Sequence, residues 1–501
     1  MLNDFYKQLK SGTDIRGIAG TGAPDENVNL TTDVIRKISA GFILWLSEKT
    51  AKPAADLTVS IGRDSRVSGP AILSVMKQTA MEYGVHIIDC GLSTTPAMFM
   101  SILDLNCDGA VEITASHHPA DRNGLKFFTK SGGVESSDIK IILQYAQEGK
   151  SPGYVFEEIC TSVDYMQIYA DKLCNIFKQS IESKDYEHPL AGYKIAVDAG
   201  NGAGGFYAEK VLAVLGADIS GSRFLDPDGY FPNHVPNPEN EEAIKACREA
   251  VVNSNSDLGI IFDTDGDRGA AVDSKGNELN RNRLVALAAS IALDKCPGGT
   301  IVTDSITSDG LKDFIEKTLR GKHLRYKRGY RNVINKAIEL NRQGIDAPLA
   351  IETSGHASFR ENYFLDDGSY LCTQIIIKMV KLKKEGKDID SLLEKLKESA
   401  VSREIRIGIL EKEFREYGEK IISDLKIYAD NQENWCVAKD SYEGVRVSFG
   451  KDDGDGWFLL RLSVHDPVLP LNIESSSTDG AAVIYRKLIN FLKHYDKLEG
   501  I

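Results

Sequence analysis

The feature that most constrains this chain is an alternation in its apolar pattern. Short apolar runs at residues 57–61 (LTVSI), 85–88, 109–113, 194–197, 258–262, 300–303 and 349–351 read as strands. Residues 71–83, 205–215, 240–252 and 308–319, between most of those runs, carry helical periodicity. Strand–helix alternation builds α/β units with mixed, mainly parallel sheets. Ligands of such sheets bind beyond the carboxyl ends of the strands, so chemistry is expected in the loops directly after them.

The pattern changes near residue 400. Residues 382–399 read as a charged, helix-prone connector. Beyond it come a helix at 411–430, strands at 445–449 and 457–462, and a last helix at 476–494. Those strands have no crossover helices between them, which predicts an antiparallel α+β domain. At about 150 residues per domain the length allows three or four domains.

Charge narrows the function. Lys and Arg total 60 against 73 Asp and Glu, a net charge of −13. A broad nucleic-acid surface needs the opposite field, so no nucleic-acid partner is expected. No apolar run approaches the roughly 20 residues that span a bilayer, so no membrane partner is expected either. The run at 283–293 fits a buried helix. Residues 1–10 (MLNDFYKQLK) lack the charged and apolar regions of a secretory signal, and a cytoplasmic location is expected. The eight cysteines form no C-x-x-C pair and are expected to be buried free thiols.

Four loops after strands carry chemistry. Residues 114–128 (TASHHPADRNGLKFF) place Ser116 just past a strand end, where a hydroxyl can act as a nucleophile. His117 and His118 follow it, and Lys126 can neutralise a phosphate. Read alone, such a stretch is a polar turn, closed by Pro119 and Gly124, more often than a site. Residues 263–268 (DTDGDR) set Asp263, Asp265 and Asp267 at alternating positions, able to converge on one cation such as Mg²⁺. An EF-hand would need Gly and Glu where Arg268 and Ser274 stand. Residues 352–359 (ETSGHASF) combine Glu352, Ser354 and His356, an acceptor, a hydroxyl and a ring donor suited to sugar hydroxyls. No G-x-S-x-G elbow surrounds Ser354, which argues against a hydrolase. Residues 461–467 (RLSVHDP) offer Arg461 and Ser463 to a phosphate. Residues 149–151 lack the earlier Gly of a P-loop, and 198–205 do not fit G-x-G-x-x-G.

Together these loops resemble those of the α-D-phosphohexomutases, the phosphomannomutase/phosphoglucomutase family. The family's T-A-S-H-N-P and N-G-x-K appear at 114–119 and at Asn123, Gly124 and Lys126. Its D-x-D-G-D-R is matched at 263–268, and its G-E-x-S-G-H by Glu352, Ser354, Gly355 and His356. Its R-P-S-G-T-E-P aligns on 461–467, D-I-R-G on 14–17 after Gly12, and G-R-D-x-R on 62–66. Six motifs occur in the family's order. There are departures. Val464, His465 and Asp466 replace Gly, Thr and Glu. His118 stands for Asn, Thr13 for a Tyr, and Thr353 fills the variable sugar-loop position. Residues 327–332 (KRGYRN) align with a ligand-contacting K-T-G-H, with Tyr330 for His.

The resemblance implies three α/β domains (1–155, 156–285, 286–400) and a C-terminal α+β domain (401–501) arranged around a central cleft. It implies a mutase that interconverts hexose 1-phosphate and hexose 6-phosphate of mannose or glucose. A phosphorylated Ser116 would give its phosphoryl group to the sugar, leaving a bound hexose 1,6-bisphosphate that returns its other phosphate. Mg²⁺ would be held by Asp263, Asp265, Asp267 and Ser116. Arg16 and Lys126 would flank the phosphoryl group, and His356 is a second acid/base candidate. Glu352, Ser354 and Gly355 would bind the sugar; Arg461, Ser463, Arg268 and His117 would contact the substrate. Lys327, Arg328, Gly329, Tyr330 and Arg331 are expected to contact its phosphate or ring, with a solvated basic turn as the alternative. The last domain, on its connector, is the expected lid. The partner is a small sugar phosphate, and the protein a monomer or homodimer. A phosphoglucosamine mutase is the rival within the class. A catalytically silent sugar-phosphate-binding relative is the rival outside it, and the intact Ser116, aspartate trio and Lys126 argue against silence.

Overall fold

A computed structural model of the chain describes residues 2–21, 27–149, 160–439, 441–463 and 466–501. It divides into two units, Met1–Asn280 with Ser354–Ser358 and Leu365–Asp390, and Arg281–Thr353 with Phe359–Phe364 and Ser391–Ile501.

The first unit holds two sheets. In the larger, the strands run in the order Lys10–Ser11, Asp14–Ile18, Arg122–Thr129, Gly109–Ile113, Thr58–Arg63, His86–Leu92, Cys160–Ser162. The last four are parallel to one another, and the first three add antiparallel pairs. Alternation along Arg122–Thr129 turns Leu125 and Phe127 into the core, where Phe127 stacks on Phe42 at 4.6 Å. Lys126 is thereby sent to the opposite face. The smaller sheet pairs Ile195–Asp198 parallel to Leu258–Phe262, then continues antiparallel through Gly269–Asp273 and Glu278–Leu279. Helix Gly368–Lys384 packs closely on Gly269, where a Cβ would lie 2.7 Å from Cys372 Sγ.

In the second unit Lys322–Tyr326, Thr300–Asp304 and Leu349–Ile351 are parallel neighbours. Helix Arg281–Lys295 is buried from Leu284 to Leu293, as its all-apolar run predicts. The C-terminal sheet is antiparallel throughout, in the order Cys436–Val437, Val445–Phe449, Gly456–Leu460, Val468–Ser475, Val401–Ile409, Leu498–Glu499. Helices Phe414–Asp430 and Gly480–Leu492 contribute Ile421, Leu425, Ile484 and Leu488 to its core.

Several local readings are corrected. The stretch at 205–215 is a short 3-10 turn, Ala203–Gly205, followed by a π-helix, Tyr207–Ala213. Two turns of apolar pattern cannot separate the π period from that of an α-helix. The connector at 382–399 is not a helix. Helix Gly368–Lys384 stops because Gly386 takes φ +72° and lets Lys387 N–H bond back to Leu382 O, and only Ile389–Leu393 forms a further 3-10 turn. All eight cysteines are free, but Cys160 and Cys296 are half-buried and Cys436 is exposed. Among the described residues no helix is long and apolar enough to cross a membrane.

Candidate active site

Ser116 lies where strand Gly109–Ile113 turns back into Arg122–Thr129. Its φ is +52°, a left-handed conformation costly for a residue with a Cβ. The buried Arg66 holds the turn open. Its guanidinium donates to the carbonyls of Ser116 and His118, to Pro119 O at 2.7 Å and Arg122 O at 2.8 Å, and from Nε to Asp64 at 3.2 Å. Thr114 Oγ1 accepts the Ser116 N–H at 2.8 Å.

Residues 263–268 close the tight turn between Leu258–Phe262 and Gly269–Asp273, whose pairing ends at Phe262 and Gly269. All three aspartates are buried, and one oxygen from each lies within 4.8 Å of the others. Ser116 Oγ donates to Asp263 Oδ2 at 3.1 Å and accepts from Arg268 Nη2 at 3.3 Å. Arg268 Nε is itself held by Asp263 Oδ2 at 3.0 Å. Lys126 Nζ donates to Asp265 Oδ2 at 2.7 Å and to Asp267 Oδ2 at 2.5 Å. Thr95 Oγ1 donates to Asp265 Oδ2 at 2.6 Å.

Burial and the neighbouring Asp267 and Asp265 push the Asp263 carboxyl well above the usual carboxylate range. Burial acts on Asp267 in the same sense, but Lys126 and His356 outweigh it and hold Asp267 well below that range. Asp265 Oδ1 and Asp267 Oδ1 are buried without a hydrogen-bond partner among the described residues. Unpaired buried carboxylate oxygens are costly. Such an all-oxygen set fits a hard divalent ion.

His356 reaches this cluster because Gly355 takes φ +96° and lies where a Cβ would stand 2.8 Å from Gly269 O. His356 Nδ1 bonds Asp366 Oδ2 at 2.5 Å and lies 4.0 Å from Asp267 Oδ1. Burial opposes its protonation, yet Asp366 and Asp267 push it up to about 9. The protonated ring therefore contributes stability that is complete below the ordinary value of 6.5 and is lost as pH rises through about 9. Urea midpoints of the wild type are expected to fall across that window, and His356→Gln to flatten the fall. Equal slopes for the two proteins would show that the pair carries no such linkage.

His117 is the other first-unit candidate in contact with Ser116. His117 Nδ1 is 3.2 Å from Ser116 Oγ, and burial with Arg268 pulls its pKa down to about 2, so the ring is neutral. Arg16 Nη2 pairs with Asp14 at 2.8 Å, and its charge helps to depress both His117 and His118. Ser354 and Gly355 belong to this unit, while Glu352 and Thr353 belong to the second.

In the second unit Glu352 Oε1 accepts the Gly329 N–H at 2.6 Å, where Gly329 at φ +114° precedes helix Tyr330–Arg342. Thr353 Oγ1 donates to Asp304 Oδ2 at 3.0 Å. Burial, then the nearby Glu352, pushes Asp304 up to about 7. Lys327 is exposed, whereas Arg328 and Arg331 are half-buried. Arg461 directly follows strand Gly456–Leu460, and Ser463 Oγ accepts the Asp466 N–H at 3.2 Å. Val464 and His465 lie outside the described residues, as do Lys150 and Ser151.

Sequence reasoning did not assign roles to Arg66, Asp304 or Asp366. Arg66 lies in the quoted G-R-D-x-R element, and Asp304 ends a strand where the loop rule points. Asp366 had no local signal, since it meets His356 only through the fold.

Family models match the chain in three consecutive pieces, phosphoglucomutase/phosphomannomutase alpha/beta/alpha domain I at residues 7–152, domain II at 167–276 and domain III at 280–399. The chain belongs to the phosphoglucomutase/phosphomannomutase family. It is 31% identical over 421 residues to a phosphomannomutase/phosphoglucomutase of Pseudomonas syringae, covering 84% of this chain and 83% of the relative. It is 28% identical over 485 residues to a phosphoglucomutase of Neisseria meningitidis, covering 95% of each. A crystal structure of a phosphoglucomutase/phosphomannomutase family protein from Burkholderia thailandensis superposes with a TM-score of 0.80. It is 25% identical and covers 99% of this chain and 98% of that one. The three α/β sheets and the β-rich C-terminal domain are thus the architecture of a phosphohexomutase.

Proposed function

We propose that the chain is a phosphohexomutase that interconverts the 1- and 6-phosphates of glucose or mannose, with Ser116 as the phosphoryl carrier. The observation that carries this is Ser116 Oγ poised between Asp263 Oδ2 at 3.1 Å and Arg268 Nη2 at 3.3 Å, beside a buried carboxylate trio. Relatives named phosphoglucomutase and phosphomannomutase/phosphoglucomutase support these two sugars over glucosamine.

The Oγ–P bond of phosphorylated Ser116 breaks as a bond from the sugar hydroxyl oxygen to phosphorus forms, and the hydroxyl proton passes to a base in the site. The bound hexose 1,6-bisphosphate turns, and its other phosphate returns to Ser116. Arg268, anchored on Asp263, faces the transferring group. Lys126 holds Asp265 and Asp267 in place and favours the ionised Asp267, and His356 presents a protonated ring beside Asp267. Asp263, Asp265, Asp267 and Ser116 would hold Mg²⁺, which supplies charge neutralisation to the transferring phosphoryl group. Glu352 and Ser354 would bind sugar hydroxyls, and Arg461, Ser463 and Arg328 the non-transferring phosphate. We propose domain bounds of 1–155, 156–285, 286–400 and 401–501, the first boundary lying outside the described residues.

Tandem mass spectrometry of protein incubated with glucose 1,6-bisphosphate is expected to place phosphate on Ser116. Label on another residue would reject the carrier. Chelation with EDTA is expected to stop glucose 1-phosphate conversion, and excess Mg²⁺ to restore it. Full activity in EDTA would reject the metal.

A further inference from the structure

Helix Tyr330–Arg342 presents its positive end, at residues 328–330, toward the C-terminal sheet within the second unit. Two carboxylates occupy that end. Glu352 takes the Gly329 N–H, and Glu443 Oε1 takes the Arg328 N–H at 3.0 Å. Glu443 precedes strand Val445–Phe449, so its bond ties the last domain to the third. The Ser305 hydroxyl, after strand Thr300–Asp304, also donates to Glu443. Beside it stands Arg461. Gly444 packs so closely that a Cβ there would lie 2.8 Å from Arg461 Cα. Arg461 Nε is buried without a hydrogen-bond partner among the described residues. Burial lowers the Arg461 pKa, and Glu443 is the largest charge opposing that effect.

Backbone N–H groups at a helix start, a hydroxyl and a guanidinium whose Nε has no partner among the described residues make an anion cradle, and the anion inside it belongs to the protein. We propose that Glu443 is an internal substitute for the substrate's phosphate, which must be displaced from the Arg328 N–H and the Ser305 hydroxyl before a phosphate monoester binds there. This rests on the assignment of Arg461 and Arg328 to the non-transferring phosphate. The displacement makes the cradle two-state. Empty, Glu443 latches the last domain to the helix start; filled, the phosphate takes over the latch. Arg446 remains a separate tie in both states, donating to Ser305 O at 3.1 Å and Asp309 Oδ1 at 3.0 Å. A competing internal anion weakens apparent affinity by the fraction of molecules in which it has left, so ligand release is favoured after each turnover.

The test measures binding of inorganic phosphate and of glucose 6-phosphate by calorimetry. Glu443→Gln keeps the acceptor for both donors and removes only the charge. It is expected to bind both ligands roughly fivefold to tenfold more tightly, with a lower KM. Arg461→Ala is expected to lose most of the binding in either background. If Arg461→Ala loses binding but Glu443→Gln leaves it unchanged or weaker, Glu443 is only a structural tie and the inference is overturned. If Arg461→Ala binds like the wild type, the phosphate assignment itself is wrong, and the inference falls with it.

Discussion

Ser116→Ala is expected to abolish hexose-phosphate interconversion, with kcat down by roughly 10³-fold or more and no rescue by added hexose 1,6-bisphosphate. The size follows from the geometry. Ser116 Oγ is the hydroxyl that touches both Asp263 and Arg268, and its left-handed φ points it at them. His117, the neighbouring side chain, is held neutral by burial and by Arg268, and its ring does not replace a phosphorylated oxygen bound to the same carboxylate. Binding of substrate should survive, because the groups assigned to the non-transferring phosphate sit in the second unit. Rates from coupled assays and calorimetric affinities separate the two effects. Near-wild-type turnover in the variant would reject Ser116 as carrier.

Arg66→Ala is expected to have the second-largest effect, without touching the substrate. Arg66 donates to four carbonyls of the Ser116 turn, and its loss leaves the buried Asp64 without its guanidinium partner. Breaking one partner of a buried pair costs about 3–5 kcal/mol. Burial already pushes the Asp64 carboxyl up to about 6 against the pull of Arg66, so the variant should carry it protonated at neutral pH. A turn freed to shift by an ångström costs on the order of 10²-fold in rate. Arg66→Lys should not recover it, because an ammonium has three donors where the guanidinium has five. Thermal unfolding and kcat measured together check this. A stable, fully active Arg66→Lys would show that charge alone holds the turn.

Much of the site was legible in the sequence because phosphoryl chemistry needs particular side chains at strand ends. DTDGDR, TASHHP, the Glu352–His356 loop and Arg461 all lie directly after apolar runs. The π-helix at Tyr207–Ala213 and the end of helix Gly368–Lys384 were not legible. One differs from an α-helix by a small change in period, and the other depends on a single glycine at positive φ.

The alternation of apolar runs established the α/β class, and local patterns of side chains singled out the acidic trio and Ser116 as candidates. The tertiary structure decided which groups compensate them. Lys126 meets Asp265 and Asp267 because Leu125 and Phe127 face the core, and Gly355 brings His356 to Asp267 by lying against Gly269. Arg66 reaches the Ser116 turn from another strand end, and Glu443 reaches the start of helix Tyr330–Arg342 from the last sheet. These pairings depend on strand register and on close backbone approach at glycine, which local spacing does not encode.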